Sequence, residues 1–182
     1  VGAGTGLGIS RGLINADIIE VLSSEGGHIE FAPKTQKEWE LKVWLKDFLN
    51  LERISYERII SGEGLCNIAK WRFSYPDAIN HSFQKTLNES KTSKKTQKKL
   101  ASEICKFSAK GDSLLREIEN IWLSNYASYL GDVALHELCF GGLWISGGTA
   151  PKHFKNFKSN SFLKHFSDKG RYKDILKSIP VK

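Results

Sequence analysis

Apolar residues recur at the 3.6-residue period of an amphipathic helix through much of the chain. Thr35 and Glu38 have the spacing of a capping box and predict the start of the first helix. The predicted inner face of this helix consists of Leu41, Trp44, Leu45, Phe48 and Leu49. A further helix is predicted to begin at residues 61–64, and its inward residues are Leu65, Ile68, Ala69 and Phe73.

The same period returns in the second half of the chain. A helix is predicted over residues 100–109, after which Gly111 and Asp112 break and re-cap the chain. A long helix reaching about residue 138 follows, with an inner face of Leu115, Ile118, Trp122, Tyr126, Tyr129 and Val133. We expect it to be the central helix of the domain. Residues 74–99 are polar and lysine-rich, which predicts a solvated loop or irregular excursion.

Alternating and short apolar runs predict strands between these helices. A hairpin is expected from strands at residues 9–14 and 18–22, with a turn at residues 15–17. Gly141 and Gly142 are expected to end the long helix, and residues 143–146 are typical of a buried strand that delivers Gly147 and Gly148 to a helix starting near Pro151. Crevices between strand and helix of this kind bind ligands in open α/β sheets, although a tight turn without a ligand fits the glycines equally well.

Composition places the 182 residues in one globular domain, since 40% of them are apolar. No apolar run approaches the roughly 20 residues that span a bilayer, so we expect a soluble, intracellular protein and no membrane partner. Residues 152–182 carry nine Lys or Arg and two Asp, which accounts for the whole net charge of +7. The aromatic residues of this basic tail have helical spacings and are interpreted as core contacts, against a nucleic-acid surface: Phe154, Phe157, Phe162, Phe166 and Tyr172.

The three cysteines, Cys66, Cys105 and Cys139, are widely spaced and form no CxxC pair. This spacing indicates neither a zinc site nor a disulfide framework, and no metal ligands are predicted. Buried, unreactive thiols are expected. Methionine is absent from the whole sequence, which begins directly on a glycine-rich loop, and we expect an internal piece of a longer protein.

The glycine-rich loop at residues 2–8 (GAGTGLG) offers flexible backbone amides and one hydroxyl, a combination suited to phosphate oxygens. A dinucleotide-binding fingerprint does not fit, because a strand pattern follows the loop instead of a helix. A P-loop does not fit either, because Gly-Lys-Ser/Thr is absent. A glycine-rich hairpin without a ligand is the alternative.

Residues 24–28 (SEGGH) concentrate a carboxylate, an imidazole and two glycines between apolar segments. Glu25 and His28 can turn toward one small ligand while the backbone approaches it closely, and hydroxyls are their natural partners. The alternative is a Gly-Gly turn in which Glu25 caps an amide and His28 is solvated. Glu57 is a further candidate carboxylate, although a glutamate in a first helical turn is common without a ligand.

Taken in order, these motifs resemble the bacterial glucokinases, members of the hexokinase and actin-like ATPase superfamily. The resemblance rests on residues 2–8, 24–33, 55–65, 141–148, 169–171 and 179–181. It implies an α/β fold: part of the large domain of an actin-like (ribonuclease H-like) two-domain sugar kinase, with a mixed sheet flanked by helices. Residues 1–182 would form this portion as a single domain, without the small N-terminal domain and the extreme C-terminus.

The resemblance also implies ATP-dependent phosphorylation of the 6-hydroxyl of D-glucose, the first step of glycolysis, with Mg²⁺ as a cofactor. By matching position, the sugar ligands would be Gly6, Glu25, His28 and Glu57. Gly4 and Thr5 would contact the ATP phosphates, and Gly147 and Gly148 would face the adenosine. A cytoplasmic enzyme is expected, and the oligomeric state, including a homodimer, is left open.

This chain also departs from the family pattern. The family's Asp-x-Gly-Gly-Thr phosphate loop and its catalytic aspartate do not occur in it, so no catalytic residue is assigned here and the isolated piece is expected to be inactive. Glu63 stands where the family usually has a small residue or proline. A non-catalytic, sugar-sensing regulator built on the same fold is the alternative function.

Overall fold

A computed structural model describes residues 1–15, 18–90 and 94–182, with side chains described from residue 98 onward within the helix that begins at Lys94. The strands are β1 (Gly2–Ala3), β2 (Leu7–Asn15) and β3 (Ile18–Ser24). The helices are α1 (Gln36–Leu49), α2 (Glu57–Ile60), α3 (Gly62–Arg72), α4 (Gln84–Glu89), α5 (Lys94–Ala109), α6 (Ser113–Glu137), α7 (Ala150–Phe157), α8 (Asn160–Ser167) and α9 (Lys173–Ser178). In the described part of the chain, no helix is both long and apolar enough to cross a membrane.

The three strands form an antiparallel sheet in the order β1-β2-β3, which confirms the predicted hairpin. Its register runs from the pair Ile9 and Ser24 to the pair Asn15 and Ile18. The predicted turn falls partly on residues 16 and 17, which lie outside the described residues.

The buried strand predicted at residues 143–146 is wrong as stated. This segment makes only isolated parallel bridges, from Leu143 to Val181 and from Ser146 to Gly2, and Trp144 is half-exposed. The expected mixed sheet is therefore antiparallel in its named strands, and within the described residues parallel pairing is limited to these bridges. The long helix ends at Glu137, which confirms the predicted end near residue 138. Leu138 ends it in the left-handed conformation (φ 45°), so the assignment of Gly141 and Gly142 as the residues that end the helix is wrong.

Helix α6 runs through the centre of the core, as predicted. The predicted inner-face residues Leu115, Ile118, Trp122, Tyr126 and Tyr129 are fully buried, whereas Val133 is only partly buried. The indole N–H of Trp122 donates to the carbonyl of Ser61 at 3.0 Å and so fixes the start of α3 against α6. Asp112 caps α6 by accepting from the amide of Leu115.

The capping box of α1 is confirmed, since Thr35 accepts from the amide of Glu38 and the Glu38 carboxylate accepts from the amide of Thr35. Leu41 and Leu45 are fully buried, but Phe48 is half-exposed and stacks on Trp44. The predicted apolar face is therefore wider than the surface that the core covers.

The loop predicted for residues 74–99 is wrong over most of its described part, and residues 91–93 lie outside the described residues. The segment contains the turn Pro76–Ala78, helix α4 and the beginning of α5. Phe83 and Leu87 are buried in the core, and Phe83 packs against Phe73 and Phe107. Phe83 and Leu87 hold the described part of this polar segment against the core. Isolated buried residues of this kind do not produce the helical period on which the prediction relied.

The basic tail packs as predicted only in part. Phe157, Phe162 and Phe166 are buried, in line with the core interpretation. Phe154 and Tyr172 are exposed instead, each with a cation over its ring, Lys158 and Arg171 respectively.

Candidate active site

The glycine-rich loop between β1 and β2 is tied to the starts of two helices. The amide of Gly4 donates to the carbonyl of Gly6 at 2.8 Å and closes the loop on itself. The Gly4 carbonyl accepts from the amide of Gly62 at 2.8 Å, at the first residue of α3. The Ala3 carbonyl accepts from both the amide and the hydroxyl of Thr149, immediately before α7. The loop therefore lies where α3 and α7 begin.

Gly4, Thr5 and Gly148 line one cavity of about 290 Å³. The rest of its wall consists of Gly62, Glu63, Lys98, Ala101, Thr149 and Lys152. Helix N-termini carry partial positive charge, and two lysines add full charges, so the cavity favours an anion. The one carboxylate in this wall, that of Glu63, is paired with Arg58 at 2.7 Å.

Gly147 and Gly148 differ in their surroundings and line different cavities. Gly147 has a φ of +89°, and a Cβ built on it would lie 2.4 Å from the carbonyl oxygen of Ala3, so only glycine fits there. It lines a separate cavity of about 700 Å³ that also contains Phe154, Phe157 and Val181. Gly148 has open space around it and faces the cavity of Gly4.

Glu57 is brought to the other end of the same loop. Its Oε2 accepts from the amide of Leu7 at 2.9 Å, although the two residues are 50 positions apart. A Cβ built on Gly6 would lie 2.7 Å from that oxygen, so Gly6 leaves room for the carboxylate. A glutamate in a first helical turn commonly faces solvent, but Glu57 instead accepts this hydrogen bond from Leu7.

Residues 26–28 form a single 3₁₀ turn that also packs on Leu7. A Cβ on Gly27 would lie 2.3 Å from the Leu7 carbonyl oxygen, and Gly27 is buried. The hydroxyl of Tyr129, on α6, donates to the Gly26 carbonyl at 2.8 Å. Burial raises the pKa of Tyr129, which keeps this donor protonated.

The two ionisable side chains of this turn point outward. Glu25 Oε2 and His28 Nε2 lie 3.7 Å apart. The Glu25 side chain is 93% exposed and that of His28 is 53% exposed, so both have free hydrogen-bonding capacity toward a ligand at the surface. The backbone of the turn is fixed, and its polar side chains are available.

Leu7 therefore connects the predicted sugar ligands. Its amide donates to Glu57, and its carbonyl packs against the turn that carries Glu25 and His28. Gly4 and Thr5 lie a few residues earlier on the same loop, in the wall of the cavity that Lys98 and Lys152 also line, here called the cationic cavity. Sequence reasoning missed Lys98, Thr149 and Lys152 in that cavity. Thr149 could have been predicted from the sequence, because it carries a hydroxyl next to two glycines at the start of a helix. Nothing in the sequence distinguishes Lys98 and Lys152 from other surface lysines.

Comparisons with known proteins agree with this geometry. The glucokinase family model matches residues 1–182. The chain is 37% identical over 190 residues to the glucokinase of Synechocystis sp., covering 100% of this chain and 53% of that protein. It is 35% identical over 183 residues to a glucokinase of Yersinia pestis, covering 99% of this chain and 50% of that protein. The chain thus spans about half the length of the curated relatives it matches.

Solved structures show the same similarity. A glucokinase from an Antarctic psychrotroph superposes with a TM-score of 0.74 at 27% identity, covering 99% of this chain and 51% of that one. A glucokinase from Balamuthia mandrillaris, solved in complex with glucose, superposes with a TM-score of 0.78 at 20% identity, covering 99% and 47%. The latter likeness concerns the fold, which is that of the actin-like sugar kinases. Since the glucokinase family model covers residues 1–182, the chain belongs to the glucokinase family.

Proposed function

We propose that the protein containing this chain transfers a phosphoryl group from ATP to the 6-hydroxyl of D-glucose. The observation that carries the proposal is the loop at residues 2–8. One end of this loop lies in a cationic cavity, and the amide of Leu7 at the other end binds the Glu57 carboxylate. A loop of this kind places a phosphate chain beside a polyol, and positioning of two substrates supplies much of the catalysis in phosphoryl transfer.

The sugar half of the site consists of Gly6, Glu25, His28 and Glu57. The two carboxylates accept hydrogen bonds from sugar hydroxyls, and the imidazole of His28 donates or accepts according to its tautomer. Gly6 lets the sugar and Glu57 approach the backbone. A site that pairs hydroxyls in this way discriminates strongly against analogues that lack them.

The proposed nucleotide half consists of Gly4, Thr5 and Gly148, with Gly147 directly before Gly148 on the wall of a second cavity. We add Lys98 and Lys152, which line the same cavity as Gly4. The Thr5 hydroxyl and the two ammonium groups bind phosphate oxygens, and the starts of α3 and α7 add the field of their helix dipoles. Gly148, with no side chain and open space beside it, leaves a flat surface for the adenosine.

Mg²⁺ accompanies ATP in this proposal, but the described wall of the cavity that contains Gly4 does not fit a dedicated magnesium site. The ion prefers carboxylate and water oxygens, and Glu63 is the carboxylate in the wall of the described cavity. Arg58 already binds its Oε1 at 2.7 Å. We therefore assign no step of the reaction in this chain to the metal.

The kinase is favoured over a sugar-sensing regulator because the reported relatives are named glucokinases. Binding of nucleic acid by residues 152–182 is disfavoured, since Phe157, Phe162 and Phe166 are buried and unavailable for base stacking. A cytoplasmic location belongs to the same proposal, and a homodimer is consistent with it.

Steady-state kinetics of the full protein test the proposal through Glu25. Glu25→Gln keeps the shape but replaces one acceptor with a donor, which should cost about 1 to 3 kcal/mol and raise the glucose KM about 5- to 150-fold. The ATP KM should stay the same. Glu20→Gln, at an exposed position of β3, is the matched control and should change neither constant.

Thr5→Ala should show the opposite pattern, with a raised ATP KM and an unchanged glucose KM, because its hydroxyl is assigned to phosphate. An unchanged glucose KM and kcat for Glu25→Gln, at an unchanged melting temperature, would return residues 24–28 to the plain glycine-turn interpretation.

A further inference from the structure

The described wall of the cationic cavity contains one carboxylate beside its two lysines. Glu63 lines this cavity together with Gly4, Thr5, Lys98 and Lys152. A carboxylate repels the phosphates of ATP, whereas the ammonium groups of the lysines attract them. The wall therefore contains a group that opposes the binding proposed for this cavity.

The start of α3 holds Glu63 at the cavity. The amide of Gly62 donates to the carbonyl of Gly4 at 2.8 Å, and the hydroxyl of the buried Ser61 accepts from the amide of Gly64 at 3.0 Å. These contacts fix the backbone on both sides of Glu63 relative to the glycine-rich loop. The Glu63 side chain is 29% exposed, so solvent screens its charge only in part.

Arg58 on α2 compensates the charge of Glu63. Its Nη1 donates to Glu63 Oε1 at 2.7 Å. The Arg58 carbonyl accepts from the side-chain amide of the buried Asn67 at 3.0 Å, which anchors the backbone that carries the guanidinium. Glu63 lines the described cavity and Arg58 does not. The ion pair therefore presents its negative end to the cavity.

We propose that this ion pair sets the affinity of the cavity for nucleotide phosphates. Glu63 weakens their binding, and Arg58 limits the loss by neutralising most of the carboxylate charge. The inference rests on the proposed function, because it assigns the cavity to ATP. Removal of the carboxylate leaves an additional positive charge beside the cavity and tightens ATP binding. Removal of the guanidinium leaves an uncompensated negative charge in the wall and weakens ATP binding.

A purely structural role of the pair predicts a different pattern. A glutamate in the first turn of a helix interacts favourably with the helix dipole, and an ion pair between α2 and α3 holds the two helices together. In that case both substitutions loosen the same contact, and each weakens ATP binding or leaves it unchanged. Effects of opposite sign therefore separate the two roles.

Calorimetric titration of the full protein with ATP tests the inference. We expect Glu63→Gln to bind ATP about three- to tenfold more tightly and Arg58→Gln to bind it roughly threefold or more weakly, with the double variant within about twofold of the wild type. Both single effects should shrink as the salt concentration rises from about 0.05 to about 0.5 M, because salt screens charges. Adenosine, which has no phosphate, should bind the wild type and the variants equally. Both side chains are partly exposed, so we expect every variant to fold.

Glu52→Gln and Arg171→Gln are the matched controls, since each removes one charge at an exposed position outside the cavity wall. Both should bind ATP like the wild type. Absence of ATP binding by the wild-type protein would overturn the proposed function and this inference with it. If the wild type binds ATP, an unchanged or weaker affinity of Glu63→Gln, or an equal change in its affinity for adenosine, would overturn this inference alone.

Discussion

Gly27 illustrates how a single position controls the candidate sugar site. The residue is buried in the turn between Glu25 and His28, and the space for its missing side chain is occupied by the Leu7 carbonyl. No rotamer change relieves this contact, because the blocking atom belongs to the backbone of β2. The position therefore decides how closely the turn approaches the glycine-rich loop.

We predict that Gly27→Ala destabilises the chain by about 1 to 3 kcal/mol, the usual cost of overpacking. The turn has to move away from Leu7, so the glucose KM of the full protein should rise as well. Gly12→Ala is the matched control, since a Cβ there meets nothing within 4 Å. Thermal unfolding of both variants measures the effect, and equal melting temperatures would contradict the close packing of the turn on β2.

At the level of elements, an ion-pair network holds α1, α3 and α6 together. Arg72 on α3 binds Glu117 on α6 through its Nε at 2.9 Å and binds Asp77 at 2.6 Å. Lys37 on α1 also binds Glu117. Burial alone would raise the pKa of Glu117, but the hydrogen bonds from Lys37 and Arg72 outweigh it and lower the pKa below its ordinary value.

This lowered pKa predicts a pH-dependent contribution to stability. A carboxylate with a depressed folded-state pKa stabilises the protein above its unfolded pKa of about 4.3, and the contribution is lost as the pH falls through the folded value. Glu117→Gln should therefore lower the free energy of unfolding by about 1 to 2 kcal/mol at pH 7, since the pair is partly screened by solvent.

The difference between wild type and Glu117→Gln should shrink as the pH falls below about 4. Denaturant unfolding at a series of pH values measures it, with the exposed Glu52→Gln as a control that should follow the wild type throughout. A constant difference between pH 3 and pH 7 would show that the carboxylate charge does not stabilise the helices.

At the scale of the whole molecule, Glu25 and His28, two of the proposed sugar ligands, lie on an open surface. The Glu25 side chain is 93% exposed, and the chain spans about half the length of its relatives. Phosphoryl transfer to a sugar instead of water depends on closing the site around both substrates. An open half-site cannot exclude water from the reacting groups.

We therefore predict that the isolated 182-residue chain does not phosphorylate glucose. An assay coupled to glucose 6-phosphate formation, compared with the full protein and with a heat-denatured sample, measures this directly. Turnover above the denatured sample would show that the chain contains a complete set of catalytic groups.

Local patterns in the sequence determined the elements whose signals lie within a few residues. The capping box of Thr35 and Glu38, the cap at Asp112 and the inner face of α6 were predicted because caps and helical periods repeat at short, fixed spacings. The family resemblance, carried by motifs in a fixed order, predicted candidate residues for both half-sites before any contact was known. Their roles toward ligands remain predictions.

Only the tertiary structure decided what depends on contacts between distant residues. The placement of Glu57 on the amide of Leu7 and the contact between the carbonyl of Gly4 and the amide of Gly62 join residues that no local spacing relates. The same holds for α4, which is fixed by Phe83 and Leu87, and for residues 143–146, whose isolated bridges depend on which segments lie beside them. Short-range propensity is a weak prior, and burial against distant parts of the chain overrides it.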